Sequence, residues 1–159
     1  MTNNDILRRL RYALSISNDQ MVDMFAKGNL TVTHAQLHGW LMKEAEEGEV
    51  QEAGFAACPD SALSQFLDGL ILVRRGARED APPQVIPNRI NNNMILRKLR
   101  IGLNFKEEEM LATLKLANFN LSKSELSALF RSRDHKHYQD CGDQILRNFL
   151  IGLTAKYRG

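Results

Sequence analysis

The sequence predicts an all-α protein built from two tandem copies of a roughly four-helix module, packed together about a pseudo-twofold axis. Three observations predict it. First, residues 3–14 return at 92–103: Asn3, Asn4, Ile6, Leu7, Arg8, Leu10 and Arg11 match Asn92, Asn93, Ile95, Leu96, Arg97, Leu99 and Arg100. Second, the offset of 89 positions continues through Met21 and Met110, Asn29 and Asn118, Thr33 and Ser122, and Leu37 and Leu126. It then changes to 83, where Cys58, Asp60, Leu63, Phe66, Leu67, Gly69 and Leu70 meet Cys141, Asp143, Leu146, Phe149, Leu150, Gly152 and Leu153. Third, apolar residues in each segment recur at helical rather than strand spacing.

Taken in order, the first segment puts Ile6, Leu7, Leu10, Ala13 and Leu14 on one helical face. Asn4 is expected to cap it by accepting from an exposed backbone amide, with Arg8 pointing away from the apolar face. A second helix is expected from Ser17 or Asn18, with Met21, Met24 and Phe25 inward and a stop near Gly28. Thr33 is expected to cap a third, burying Leu37, Trp40 and Leu41 and running into the acidic stretch around Glu44, Glu46, Glu47 and Glu49. A fourth follows Cys58 and Asp60, with Pro59 tolerated in its first turn. It should bury Leu63, Phe66, Leu67, Leu70 and Val73 and end at Gly76.

These boundaries give a first repeat at residues 1–76, a linker at 77–90 marked by Pro82, Pro83 and Pro87, and a second repeat at 91–159. Each copy is short for independent stability, so the two should share part of a core. Gly69 and its counterpart Gly152 fit that picture. A glycine inside a helix costs about 1 kcal/mol relative to alanine, and its repetition points to close backbone approach.

With 159 residues, 43% of them hydrophobic, the chain can bury a core without staples. A formal net charge of +2 is too small to imply a polyanionic partner on its own. Cys58 and Cys141 occupy matching positions in a chain with no small disulfide-rich character, so both are read as reduced. The polar amino terminus carries no signal-peptide pattern, and the longest apolar run, Leu70, Ile71, Leu72 and Val73, is far too short for a bilayer. The expected setting is the cytoplasm.

The paired pattern Asn, Asn, x, Ile, Leu, Arg, x, Leu, Arg, the Trp40 and Leu41 ending of the third helix, and the repeated Cys-x-Asp-x-x-Leu-x-x-Phe-Leu-x-Gly-Leu together resemble the YehS-like family of bacterial proteins. That family is built from two tandem copies of domain of unknown function 1456, and the resemblance covers essentially the whole chain. It implies a small bacterial cytoplasmic protein and brings no activity, cofactor or catalytic residue with it. The second copy departs from the first: Leu129 and Phe130 stand where Trp40 and Leu41 do, and a histidine-containing loop replaces the acidic one.

Four features bear on function. Arg8 and Arg11, with Arg97 and Arg100 in the second copy, are candidate anion- or nucleic-acid-binding residues forming two matched patches with Arg9 and Lys98. The favoured alternative is that Arg8 and Arg97 pair internally, with Asp60 and Asp143 as partners, since a planar guanidinium suits such pairing. The second and third helices loosely resemble a helix-turn-helix, with His34, Gln36 and His38 in the early turns of the second member, but the turn is long for the motif. His34, His38 and Trp40 form a candidate interaction surface. His34 with His38, and His135 with His137, lack the repeated ligand spacing of a zinc site, so no metal or cofactor is expected. Cys58 and Cys141 precede helices, where a thiol can be activated. Nonetheless, no phosphate loop, nucleophile elbow or HExxH stands in the sequence, and burial is the preferred reading of both. The sequence therefore points to a non-enzymatic binding or regulatory protein. A helix-turn-helix-like nucleic-acid binder is the first alternative and a protein–protein adaptor the second.

Overall fold

A computed structural model describes residues 1–159 as eight helices with no strand: α1 (Asn3–Ala13), α2 (Asn18–Lys27), α3 (His34–Leu41), α4 (Asp60–Arg74), α5 (Asn92–Leu103), α6 (Glu107–Leu116), α7 (Lys123–Leu129) and α8 (Asp143–Arg158). Their starts are written locally. Thr2, Ser17, Thr33 and Ser122 each accept from the backbone amide three residues on, and Asp5, Gln20, Gln36 and Glu125 return the bond. Such reciprocal boxes satisfy two of the donors a helix start leaves free. Asn29 and Asn118, at φ of 69° and 58°, end the turns after α2 and α6 in the left-handed region that asparagine tolerates.

Thr2, not Asn4, caps α1. Asn4 instead lies inside the helix and is buried, because its amide is used elsewhere. Its Nδ2 donates to the carbonyls of Met42 and Ala56, both at 3.0 Å, and its Oδ1 accepts from the Cys58 amide at 2.8 Å. Asn93 does the same in the second copy, donating to Leu129 and Gln139 and accepting from Cys141. Asn3 reaches the Cys58 carbonyl and Asp60, and Asn92 the Cys141 carbonyl and Asp143. The duplicated Asn-Asn and Cys-x-Asp motifs are thus two ends of one clip, fastening the first helix of each copy to the start of its last.

Other departures follow from packing. α3 stops at Leu41, before the acidic stretch: Met42 turns to extended backbone, and Asn4 and Arg8 of α1 donate to the carbonyls of Gly39, Leu41 and Met42. Pro59 sits one residue outside α4, at ψ 153°. Trp40 and Leu41 are only half-buried, though the Trp40 ring lies 5.5 Å from that of Phe25. Val73, expected inside, is 46% exposed near the end of α4.

Within each copy the second helix crosses the last at a glycine. A Cβ on Gly69 would stand 1.6 Å from the Met24 carbonyl oxygen, and one on Gly152 would stand 1.9 Å from that of Thr113. The close approach predicted for these glycines is therefore made inside each repeat and not between them. The repeats meet through other surfaces. α4 packs along α5, and α8 packs along α1, so each first helix lies mainly against the last helix of the other copy. The exchange is reciprocal: the Ile90 amide donates to Asp60, and the Met1 amine pairs with Asp143, each at 3.0 Å. Thirty buried residues drawn from both copies form one continuous cluster, the pseudo-twofold arrangement expected from the duplication.

Both seams are parallel helix pairs, since Ile90 and Met1 mark the starts of the helices on which they dock. The chain leaving α4 must therefore travel back along that helix to begin α5. At 1.5 Å per residue its fifteen residues make a rod of about 22 Å. The linker, extended and mostly exposed, covers that return.

Candidate functional site

The arginines singled out from sequence divide by role. Arg8 is half-buried, pairs with Asp5 and donates to the carbonyls of Leu41 and Met42 at the end of α3. Its counterpart Arg97 donates to Phe130, the last carbonyl region of α7, at 3.2 Å. Both cap the negative end of a short helix. Internal engagement is thus correct, but the partners expected for it are not: Asp60 and Asp143 are held by Asn3 and Asn92. Burial opposes ionisation of Asp5, yet the bonds from Thr2 and the Arg8 guanidinium outweigh it and keep the carboxyl below its usual range. Arg100 lies over the Phe130 ring at 4.6 Å and donates to the Phe105 carbonyl, while Arg11 is exposed and reaches Asn18. These four residues do not converge on one patch.

The histidine surface is dispersed as well. His34 faces Asp19 at 3.3 Å and His38 is exposed, whereas Trp40 rests on Phe25 and belongs to the edge of the core. The turn between α2 and α3 spans residues 28–33, and α3 carries no lysine or arginine. The His135 and His137 rings lie tilted to each other with centroids 5.6 Å apart. Both cysteines are free and buried. Burial pushes the Cys58 thiol up to about 12 and that of Cys141 up to about 11, with Asp60 and Asp143 adding to it. Helix starts that would favour a thiolate are overridden here by desolvation and a neighbouring carboxylate.

What the structure does assemble lies along the two seams between repeats. A cleft of about 520 Å³ opens between α1 and α8, lined by Arg8, Arg9, Tyr12, Ile151, Thr154 and Ala155. Its symmetry mate between α4 and α5, about 430 Å³, includes Lys98, Ile101, Asp68, Ile71 and Leu72, which are the counterparts of Arg9, Tyr12, Ile151, Thr154 and Ala155. The two differ in charge and in cover. In the α4–α5 groove Lys98 forms an ion pair with Asp68 and the linker residues Pro82, Pro83, Gln84 and Val85 form a wall. In the α1–α8 groove Ile151 replaces the carboxylate, no segment lies alongside, and Arg9 has no acidic partner. Tyr12 is 55% and Ile151 39% exposed. Arg158 stacks over the Tyr12 ring at 4.0 Å and reaches Ser15. The sequence singles out Arg8 and Arg9 but not this groove, because apart from Arg8 its lining is made of positions where the copies differ.

The fold and this groove define an all-α protein of two interlocked repeats with an open cationic seam. The chain belongs to the DUF1456 family, a protein family of unknown function, which matches it twice, at residues 3–76 and 92–159. It is similar to YehS, an uncharacterised protein of Escherichia coli strain K12, with 46% identity over 156 residues, 98% of this chain and 96% of that protein. No solved structure matches it. No helix is long and apolar enough to cross a membrane.

Proposed function

We propose that this chain is a non-enzymatic binding protein that holds an anionic partner against its α1–α8 groove. The observation that carries the reading is the cation left over there: Arg9 stands beside exposed Tyr12 and Ile151 where the equivalent Lys98 has Asp68. Binding sites in helical proteins favour such concave places, apolar with a few directed polar groups. The suppressed thiols at Cys58 and Cys141, both engaged as packing, count against a cysteine nucleophile. Two free buried thiols also fit a cytoplasmic setting.

The test is fluorescence anisotropy with two labelled anionic probes, a short polyglutamate peptide and a single-stranded RNA, at low and moderate salt. Binding that weakens as salt rises, and disappears in a still-folded Arg9→Glu/Arg158→Glu variant, is the expected outcome. Failure of both probes to bind at low salt would sink the reading. A nucleic-acid partner gripped elsewhere is the second reading, favoured by Arg11 and Arg97, which are exposed. Duplex DNA binding lost in Arg11→Ala/Arg97→Ala, but kept in the groove variant, would put it first.

A further inference from the structure

The α4–α5 groove displays the kind of segment these seams accommodate. The linker passes it in extended form, and Gln84 anchors it: Nε2 donates to the Gly28 carbonyl and to Asp68, both at 2.9 Å, while Oε1 accepts from Asn29 at 2.6 Å. By the repeat symmetry two of the three anchors have counterparts on the α8 side, and Ile151 stands in place of the third, Asp68. Asn118 repeats Asn29, down to its positive φ, and Ala117 repeats Gly28. No hydrogen bond reaches the Ala117 or Asn118 carbonyl, whereas Gln65 and Gln84 take those of Gly28 and Asn29. Leu116, in place of Lys27, is 52% exposed.

Resting on the reading of this groove as an anion-binding surface, we infer that the α1–α8 groove docks an extended, proline-containing segment of a partner protein that carries a carboxylate where the linker carries Gln84. The charge pattern sets the carboxylate. In the covered groove the helix itself supplies the acid, Asp68, which serves both Lys98 and Gln84. With Ile151 there, a glutamate on the incoming segment can meet Arg9 with one oxygen and accept from Asn118 Nδ2 with the other, while the Ala117 carbonyl, which a carboxylate cannot take, is left to a backbone amide of the segment. Arg9, the one lining cation left without a partner, suits a single carboxylate in a short peptide better than a run of phosphates, because Arg8 is already held by Asp5 and the end of α3 and Arg158 by the Tyr12 ring and Ser15. Extended proline-containing peptides also lose little entropy on docking.

The probe is a labelled peptide spanning residues 77–88 of this chain with Gln84→Glu, compared with the unaltered peptide and with polyglutamate of the same length. Anisotropy against the full chain should show the Glu peptide binding about fivefold more tightly than the Gln peptide, the scale of one partly exposed ion pair. Arg9→Glu and Ile151→Asp, both at exposed positions, should each weaken it by about tenfold or more through like-charge contact. Amide shifts in nitrogen-labelled protein should fall on α1, α8 and residues 116–118. The idea is overturned if the Glu peptide does not bind, if neither variant weakens it, or if the shifts fall elsewhere. Polyglutamate binding as tightly as the Glu peptide would also overturn it, while leaving the anionic-partner reading standing. If neither polyglutamate nor RNA binds, the broader reading fails by its own test.

Discussion

Asn4 and Asn93 each turn a buried amide toward backbone groups from two distant loops, and the clip they make leaves little room for substitution. Asn4→Ala strands two carbonyls and one amide in the interior, so it should cost about 2–4 kcal/mol, as should Asn93→Ala. A lowered urea midpoint with an unchanged slope would register the loss. The cysteines beside these clips set an alkaline limit. Their folded values, about 12 and about 11, lie above the ordinary 9.0. The stability they contribute is therefore complete below pH 9 and drains away as pH rises from there through the folded values. Urea titrations from pH 8 to 11 should show that fall, and Cys58→Ala should flatten it. Sequence comparison revealed that asparagine pairs and Cys-x-Asp recur together. It did not reveal that they touch, because an alignment of copies reports which positions repeat and is silent on which ones meet. Asn4 reads as a helix cap by the same limit: its residue type and place favour capping, and only the fold shows that Thr2 has already filled the role.

The helices were the most legible level, since capping residues and apolar spacing are local properties. Ser17, Thr33 and the faces of Leu7, Leu63 or Phe149 follow from them directly. Exposure at the helix ends does not, as Val73 demonstrates, because it depends on how far the neighbouring helix reaches. The glycines separate two kinds of crossing. Gly152→Ala drives a methyl into the Thr113 carbonyl, which the close-packed α6–α8 crossing cannot absorb, so a loss of about 3 kcal/mol or more is expected. Gly102→Ala meets Ile71 at ordinary contact distances, its Cγ1 at 3.4 Å, its Cα at 3.6 Å and its nitrogen at 3.7 Å, and the first copy already has Ala13 at that place. That change should be neutral or raise stability by up to about 1 kcal/mol through helix propensity. Thermal melts of the two variants should move in opposite directions.

At the scale of the molecule, the exchange of first helices makes the halves mutually dependent. Fragments 1–88 and 89–159 made separately should be unfolded or self-associated. Mixed, they should give a folded one-to-one complex, and the intact chain should melt in a single transition. Circular dichroism with analytical ultracentrifugation would decide it, and a well-folded monomer from either fragment alone would count against the interlocked core. The duplication, the linker and the pseudo-symmetry could be read from the chain. The grooves could not, since they form between helices about ninety positions apart and draw on residues such as Asp68 and Ile151, where the copies disagree.

The single tether has a consequence for stoichiometry. A twofold pair of identical modules would offer two equivalent seams and take two partners. Here one peptide connection must run from the end of α4 to the start of α5, along one seam and not the other. The symmetry is thereby broken by connectivity alone, before any side chain differs. One seam is occupied by the chain that made it, so whatever docks on the other docks once per molecule.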